Sequence, residues 1–304
     1  MSRGGLPDKR NYTFLLRYSY GMTHSAKKIL IYAAGVLGSI YAARLHEAGH
    51  DVTLVARGAR LAHLREHGIQ LAPGTSSEVT TVRVPVVETA TGAYDLILVL
   101  VRARQVAGVL DALESVEGDV LFLVNWAGGF APLAEGIGAA RVVLGAPTTG
   151  GVMDGQLVRY RVASPMDRFI TMAIGESGPR YERIRELFAT AGIRTRVQPN
   201  METWLATHAA FQVPLSLAVT KAGGTKALAA DREGIRAMVR EYRTVLPAKP
   251  VPSAFGLLRI APEWLLMALF RRMLLSSVSD PLNTDTPAVS GEMQLTLQQL
   301  AAAR

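Results

Sequence analysis

Short apolar runs alternate with helix-period stretches from residue 27 to residue 199. Ile29–Tyr32, Asp51–Ala56, Asp95–Val101, Asp119–Val124 and Arg141–Leu144 read as strands, several of them apolar enough to be buried on both faces. Between them, Leu37, Tyr41 and Leu45 recur at helical spacing with Ile40 beside them, as do Tyr181, Ile184, Leu187 and Phe188 within Pro179–Ala191, which Gly192 stops. Ala59–Gly68 reads as a further helix, Val79–Val87 as a strand-rich excursion holding a Pro, and Phe169–Ile174 as an alternating strand. A Gly/Thr-rich turn is expected from Leu144 to Gly155. After Pro199 and Asn200 the strand texture disappears. Helical periods take over at Met201–Phe211, Leu215–Lys221 and Asp231–Leu246, the last with Ile235, Met238, Val239 and Tyr242 on one face. The pattern predicts an α/β chain, with a doubly wound, mostly parallel sheet over 27–199 and an all-α domain over 200–304. Residues 1–26 carry no repeat and read as an extension, disordered or upstream of a misassigned start, since Met22 stands shortly before Lys28.

Between the first strand and the first helix lies the turn Ala33–Gly38, which includes Val36 and Leu37. A dinucleotide fingerprint, G-x-G-x-x-G, would place Gly at 33, 35 and 38; the chain offers Ala33, Gly35 and Gly38. Gly35 is where a side chain would hold the backbone away from a pyrophosphate, and Gly38 is where the helix packs closely on the strand. The expected unit is therefore a Rossmann-type nucleotide-binding βαβ. At the end of the second strand an NAD site wants a carboxylate for the ribose 2′-hydroxyl, yet the strand ends on Ala56 and Arg57 with Arg60 close behind. A guanidinium suits a 2′-phosphate, which favours NADP(H). The competing reading of Arg57 is a solvated strand-end residue.

Ligands on open α/β sheets sit beyond the carboxyl ends of the strands. Arg102, Gln105 and Asn125 follow such ends, and are either cofactor and substrate contacts or loop residues capping backbone groups. His63, Glu66 and His67 match an H-x-x-E-H zinc pattern, but on a helix of a nucleotide fold and without a third ligand, so no metal site is expected. Absence of cysteine excludes disulfides and thiolate chemistry and agrees with a cytoplasmic setting. The net charge of +8 gathers partly in residues 1–21 and forms no basic run, so nucleic acid is not an expected partner. Phe255–Leu275 is very apolar, but Arg259, Glu263, Arg271 and Arg272 interrupt it and argue against a membrane span. It reads as a core helix or a wall of a hydrophobic pocket, with a membrane-surface helix as the other reading.

The stretch IYAAGVLGSIYAARLHEAGHDVTLVARG, the Asp95–Gln105 segment with its D-x-h-x-h-x-h-K-x-x-Q form (h apolar, Arg102 at the Lys) and Asn125 before a Gly-containing turn resemble the ketopantoate reductase (2-dehydropantoate 2-reductase) family over about residues 27–215. The resemblance implies NADPH in the cleft of a Rossmann domain and hydride delivery to the 2-oxo carbon of a small acid. It also implies a Lys general acid in a W-x-K pattern, an Asn one turn later, and a Glu in a T-E-I-D segment that grips the substrate hydroxyl. Trp204-Leu205-Ala206 puts Ala206 at that Lys and Ala210 at that Asn, while Asp285 and Glu292 are the acids nearest the T-E-I-D position. His208 and Thr207 are close by but share no helical face with Ala206, and Lys221 is a further donor without geometric support. The expected function is an NADPH-dependent oxidoreductase with Asn125 and His208 as catalytic candidates. Its expected partners are a small carbonyl substrate and, through the helical domain, a second copy of the chain. The alternative is a catalytically impaired NADP(H)-binding module with a binding or regulatory role.

Overall fold

The computed structural model describes residues 25–147, 149–160, 172–175, 178–276 and 287–302. In chain order come β1 (Lys28–Tyr32), α1 (Val36–Glu47), β2 (Asp51–Val55), α2 (Gly58–His67), β3 (Ile69–Pro73), β4 (Thr80–Val82), β5 (Val86–Val87) and β6 (Gly92–Val99). They are followed by α3 (Val106–Ala112), β7 (Val116–Phe122), α4 (Ala131–Ile137), β8 (Val142–Pro147), β9 (Gly151–Asp154), β10 (Leu157–Tyr160), β11 (Met172–Ile174), α5 (Pro179–Thr190) and β12 (Thr195–Val197). The all-α part holds α6 (Met201–Ala222), α7 (Thr225–Ala230), α8 (Arg232–Val245), α9 (Leu257–Ile260), α10 (Glu263–Leu274) and α11 (Pro287–Ala302).

The main sheet runs β12-β11-β8-β7-β6-β1-β2-β5, and the six strands from β8 to β5 are mutually parallel. The chain steps outward from β1 through β2 to β5, then returns to β6 on the other side of β1. This reversal opens a crevice above the carboxyl ends of β1 and β6. Both faces of the sheet are covered, as the unbroken apolar strands require. Ile29 and Ile31 point into one core with Tyr41, Leu45 and Phe188, and Leu30 and Tyr32 into the other with Val106, Val109 and Leu133. The fold is thus a Rossmann-type doubly wound sheet followed by helices, as the sequence predicts.

Three local expectations are corrected. The stretch before Gly155 is a hairpin rather than a turn, β9 pairing antiparallel with β10 in a second sheet ordered β4-β3-β10-β9 that packs against α1. Met201–Phe211 and Leu215–Lys221 form one helix, α6, which runs through Pro214 because packing against α8 and α11 outweighs the lost backbone bond. Phe255–Leu275 breaks into a 3₁₀ turn, α9 and α10. Of α10 only Leu266, Phe270 and Leu274 are buried, so the segment is half core, and none of it lines the cleft. Phe169–Thr171 and Asp285 lie outside the described residues.

Candidate active site

The turn after β1 is shaped by backbone contacts. Ala33 holds φ at +106°, a conformation that favours glycine. A β-carbon on residue 38 would fall 1.7 Å from the Ala33 carbonyl oxygen, so only Gly lets α1 begin there. At Gly35 a β-carbon would meet nothing within 4 Å, because that side opens onto the cleft. Gly35 is the N-cap of the twelve-residue α1, with no side-chain cap and no acid in the first turn. Its amides and helix dipole are left to an anion, and a dinucleotide pyrophosphate fits this cradle.

Arg57, the N-cap residue of α2, is exposed, and its guanidinium makes no hydrogen bond among the described residues. It lies near Tyr32, whose phenol burial pushes up while Arg57 pulls it partly back. Arg60 is committed elsewhere. Its Nε donates to the Ala34 carbonyl at 3.1 Å, one terminal nitrogen donates to Ser39 Oγ at 3.1 Å, and the other donates to the backbone and side-chain oxygens of Gln156 at 2.8 and 2.9 Å.

The helical part reaches the loops beyond β6 and β7 through side-chain acceptors. Glu292 on α11 is 4% exposed, and its Oε1 accepts the Ala103 amide at 2.6 Å. Its Oε2 is buried without a partner among the described residues. Gln299 Oε1 accepts the Ala127 amide at 3.3 Å, and Glu202 Oε1 the Phe130 amide at 3.1 Å. The loop that carries Asn125 is therefore held by α6 and α11. Gln105 folds back to accept the Arg102 amide at 3.0 Å, which fixes the loop after β6.

On α6 the residues turned toward the cleft are His208 and Gln212, one helical turn apart. The His208 ring stacks on Trp204, with centroids 5.2 Å apart and planes 6° from parallel. Burial pushes its pKa below 6.5, and a hydrogen bond with Gln212 opposes that shift. Ala206 and Ala210 point away and pack with Ala127, Tyr242 and Met293. Thr207 is buried, donating to the Thr203 carbonyl and accepting the Val251 amide. Lys221 is exposed at the far end of α6.

One cleft of about 1130 Å³ gathers Ala33, Gly35, Val36, Leu37, Arg57, Arg102, Gln105, Asn125 and His208. Gly38 is buried beneath it. Residues of the cleft that the sequence reading gave no site role include Arg104, Thr149, Gln156, Gln212 and Met293, while Glu292, one of the two acids nearest the T-E-I-D position, does line it. For Gln212 the helical spacing from His208 was the available signal. No group of three or more metal-ligating side chains occurs among the described residues, and the His63 and His67 rings lie 4.7 Å apart at a tilt of 51° with Glu66 beside His67.

Residues 29–167 match the family model described as ketopantoate reductase PanE/ApbA. A 2-dehydropantoate 2-reductase of Mesorhizobium japonicum is 27% identical over 256 residues, covering 75% of this chain and 77% of its own. One from Pyrococcus horikoshii is 28% identical over 183 residues, 58% of each chain. Among solved structures, 2-dehydropantoate 2-reductase from Porphyromonas gingivalis superposes with a TM-score of 0.62 at 16% identity, covering 91% of this chain and 100% of its own. D-mandelate dehydrogenase with NADH and anilino(oxo)acetate superposes with a TM-score of 0.62 at 16% identity, covering 90% and 97%. These two likenesses concern the fold. The family-model match over residues 29–167 and the curated relatives together make the chain similar to the ketopantoate reductase family.

Proposed function

We propose that this chain binds NADP(H) in the cleft and reduces the carbonyl of a small 2-oxo acid or related compound. The observation that carries the reading is the His208–Gln212 pair facing the same cleft as the α1 N-terminus, Asn125 and Glu292. Gly35 and the α1 amides would hold the pyrophosphate, with Val36 and Leu37 beside it. Arg57 would meet the 2′-phosphate. Arg102, Gln105 and Asn125 would line the path toward the nicotinamide. When bound, NADPH supplies a hydride to the carbonyl carbon. The oxygen then carries developing negative charge and needs a proton at that moment. His208 is the cleft's titratable nitrogen on α6, and we assign it that proton. Asn125 would orient the carbonyl by hydrogen bonding. Glu292 Oε2, buried and unpartnered, would accept a hydrogen bond from a donor on the substrate.

The binding-module alternative draws on the family's W-x-K pattern, here ending on Ala206. Ala206 packs on the helical core and is not among the cleft-lining residues, which weighs against this alternative. The deciding experiment is NADPH oxidation over ketopantoate and a wider carbonyl panel, wild type beside His208→Asn and Ala206→Lys. Turnover in wild type, lost in His208→Asn and not improved in Ala206→Lys, supports the reductase. Tight NADPH binding with no turnover on any carbonyl makes the module the better reading. We further propose a domain boundary at 199–200, in the link between β12 and α6, a cytoplasmic location, and self-association through the helical domain. No helix among the described residues is long and apolar enough to cross a membrane.

A further inference from the structure

We infer that Arg60 is a positioning residue that clamps the β9–β10 hairpin onto the nucleotide turn and takes no part in reading a 2′-phosphate. The inference rests on the cofactor reading above and adds a mechanical link within the same cleft.

The chemistry of the guanidinium decides its role. Arg carries five N–H donors in a planar fork, and a 2′-phosphate reader must offer two of them side by side. Four are already used within the chain, one on Nε, two on the nitrogen facing Gln156 and one toward Ser39. The acceptors belong to three separate elements. Ala34 is part of the nucleotide turn, Ser39 lies in α1, and Gln156 sits at the tip of the hairpin. Ser39 Oγ also approaches the Ala34 carbonyl at 3.4 Å, which closes a triangle around that carbonyl. Arg57, three residues earlier and exposed, is left to meet the phosphate.

The hairpin matters because Gly151 and Met153 line the cleft. The hairpin is tied separately through Arg159, which donates to the Ser76 carbonyl at 2.9 Å and, within the hairpin, to Asp154 at 2.8 Å. Its tip is held to the turn by Arg60. An anion bound at the turn stiffens the Ala34 carbonyl, and through Arg60 it fixes the wall that a substrate would touch.

The test compares wild type with Arg57→Ala, Arg60→Ala and Gln156→Ala; Gln156 is exposed, so its substitution spares the fold. NADPH and NADH are titrated by tryptophan fluorescence, and amide exchange across Gly151–Tyr160 is followed without nucleotide. Arg60→Ala is expected to weaken both nucleotides by the same factor, on the order of ten-fold, and Gln156→Ala by a smaller common factor. Arg57→Ala is expected to weaken NADPH alone. Exchange in the hairpin should quicken in Arg60→Ala and Gln156→Ala and stay unchanged in Arg57→Ala. Selective loss of NADPH in Arg60→Ala overturns the inference, as does unaltered exchange. If neither nucleotide binds wild type, the cofactor reading fails by itself, and the exchange result still decides the clamp.

Discussion

The Ala33 carbonyl oxygen occupies the space that a β-carbon on residue 38 would need, 1.7 Å away, while Ala33 itself holds φ at +106°. One residue of the turn is therefore glycine by necessity, and its neighbour in the fingerprint is strained for not being glycine. Gly38→Ala is expected to destabilise by about 2–4 kcal/mol, because the obstructing atom is backbone and cannot rotate away. Ala33→Gly should stabilise by about 1 kcal/mol, relief of the positive φ outweighing the added freedom of the unfolded chain. Urea denaturation of both variants measures these signs. A destabilised Ala33→Gly would show that the turn is unstrained.

Glu292 separates a structural from a functional role within one side chain. Its Oε1 holds the Ala103 amide, and its Oε2 has no partner among the described residues. Glu292→Gln keeps an oxygen for Ala103 and removes the charge, so stability should hold or rise. Turnover should fall by about ten-fold or more if Oε2 receives a substrate donor. Glu292→Ala strands the Ala103 amide and should cost about 1–3 kcal/mol. Melting curves and steady-state rates on the same preparations distinguish the two effects.

The nucleotide turn was legible in the sequence because its information is local: an apolar strand, two glycines and a helical period within about twenty residues. Glu292 was legible only in part: the resemblance offered it as an acid near the T-E-I-D position, but its bond to Ala103 spans 189 residues and no local pattern marks it. The W-x-K resemblance at Ala206 left the orientation of α6 open for a different reason. A W-x-K spacing fixes a distance along a helix but not which way the helix faces, and two residues turn it by about 200°. His208 and Gln212 took the cleft side instead. The β9–β10 hairpin was missed because its first strand is exposed along its whole length and carries no buried alternation. In α10 apolar residues occur on both faces, so periodicity could not tell core from surface.

That outer face of α10 predicts self-association. Leu266, Phe270 and Leu274 pack inward, while Trp264 is 70% exposed, Leu269 53% and, at the C-cap, Leu275 60%. Apolar side chains gathered on the solvent side of one helix mark an interface more often than a free surface. Light scattering should find a dimer for wild type and a monomer for Leu269→Arg, with the unfolding midpoint at low concentration changed little. A monomeric wild type would remove the helical domain as a self-association surface.

His208 gives the reaction a pH signature with a definite sign. Its pKa lies below 6.5 in the folded chain because burial disfavours the imidazolium. At neutral pH the ring is mostly uncharged, and the fraction able to give a proton grows as pH falls below about 6.5. Carbonyl reduction should therefore speed up from pH 7.5 toward pH 5.5, and oxidation of the corresponding alcohol, which needs the neutral ring as base, should slow. Stability follows the same linkage: the contribution of neutral His208 is complete above 6.5 and is lost as pH falls through the lower folded-state value, since the unfolded chain takes up the proton first. His208→Gln should remove the opposed pH trends in the two directions and flatten the acid side of the stability curve. Rates that keep both trends in the variant would move the proton to another group, and the neighbouring Gln212, which does not titrate, could not be that group.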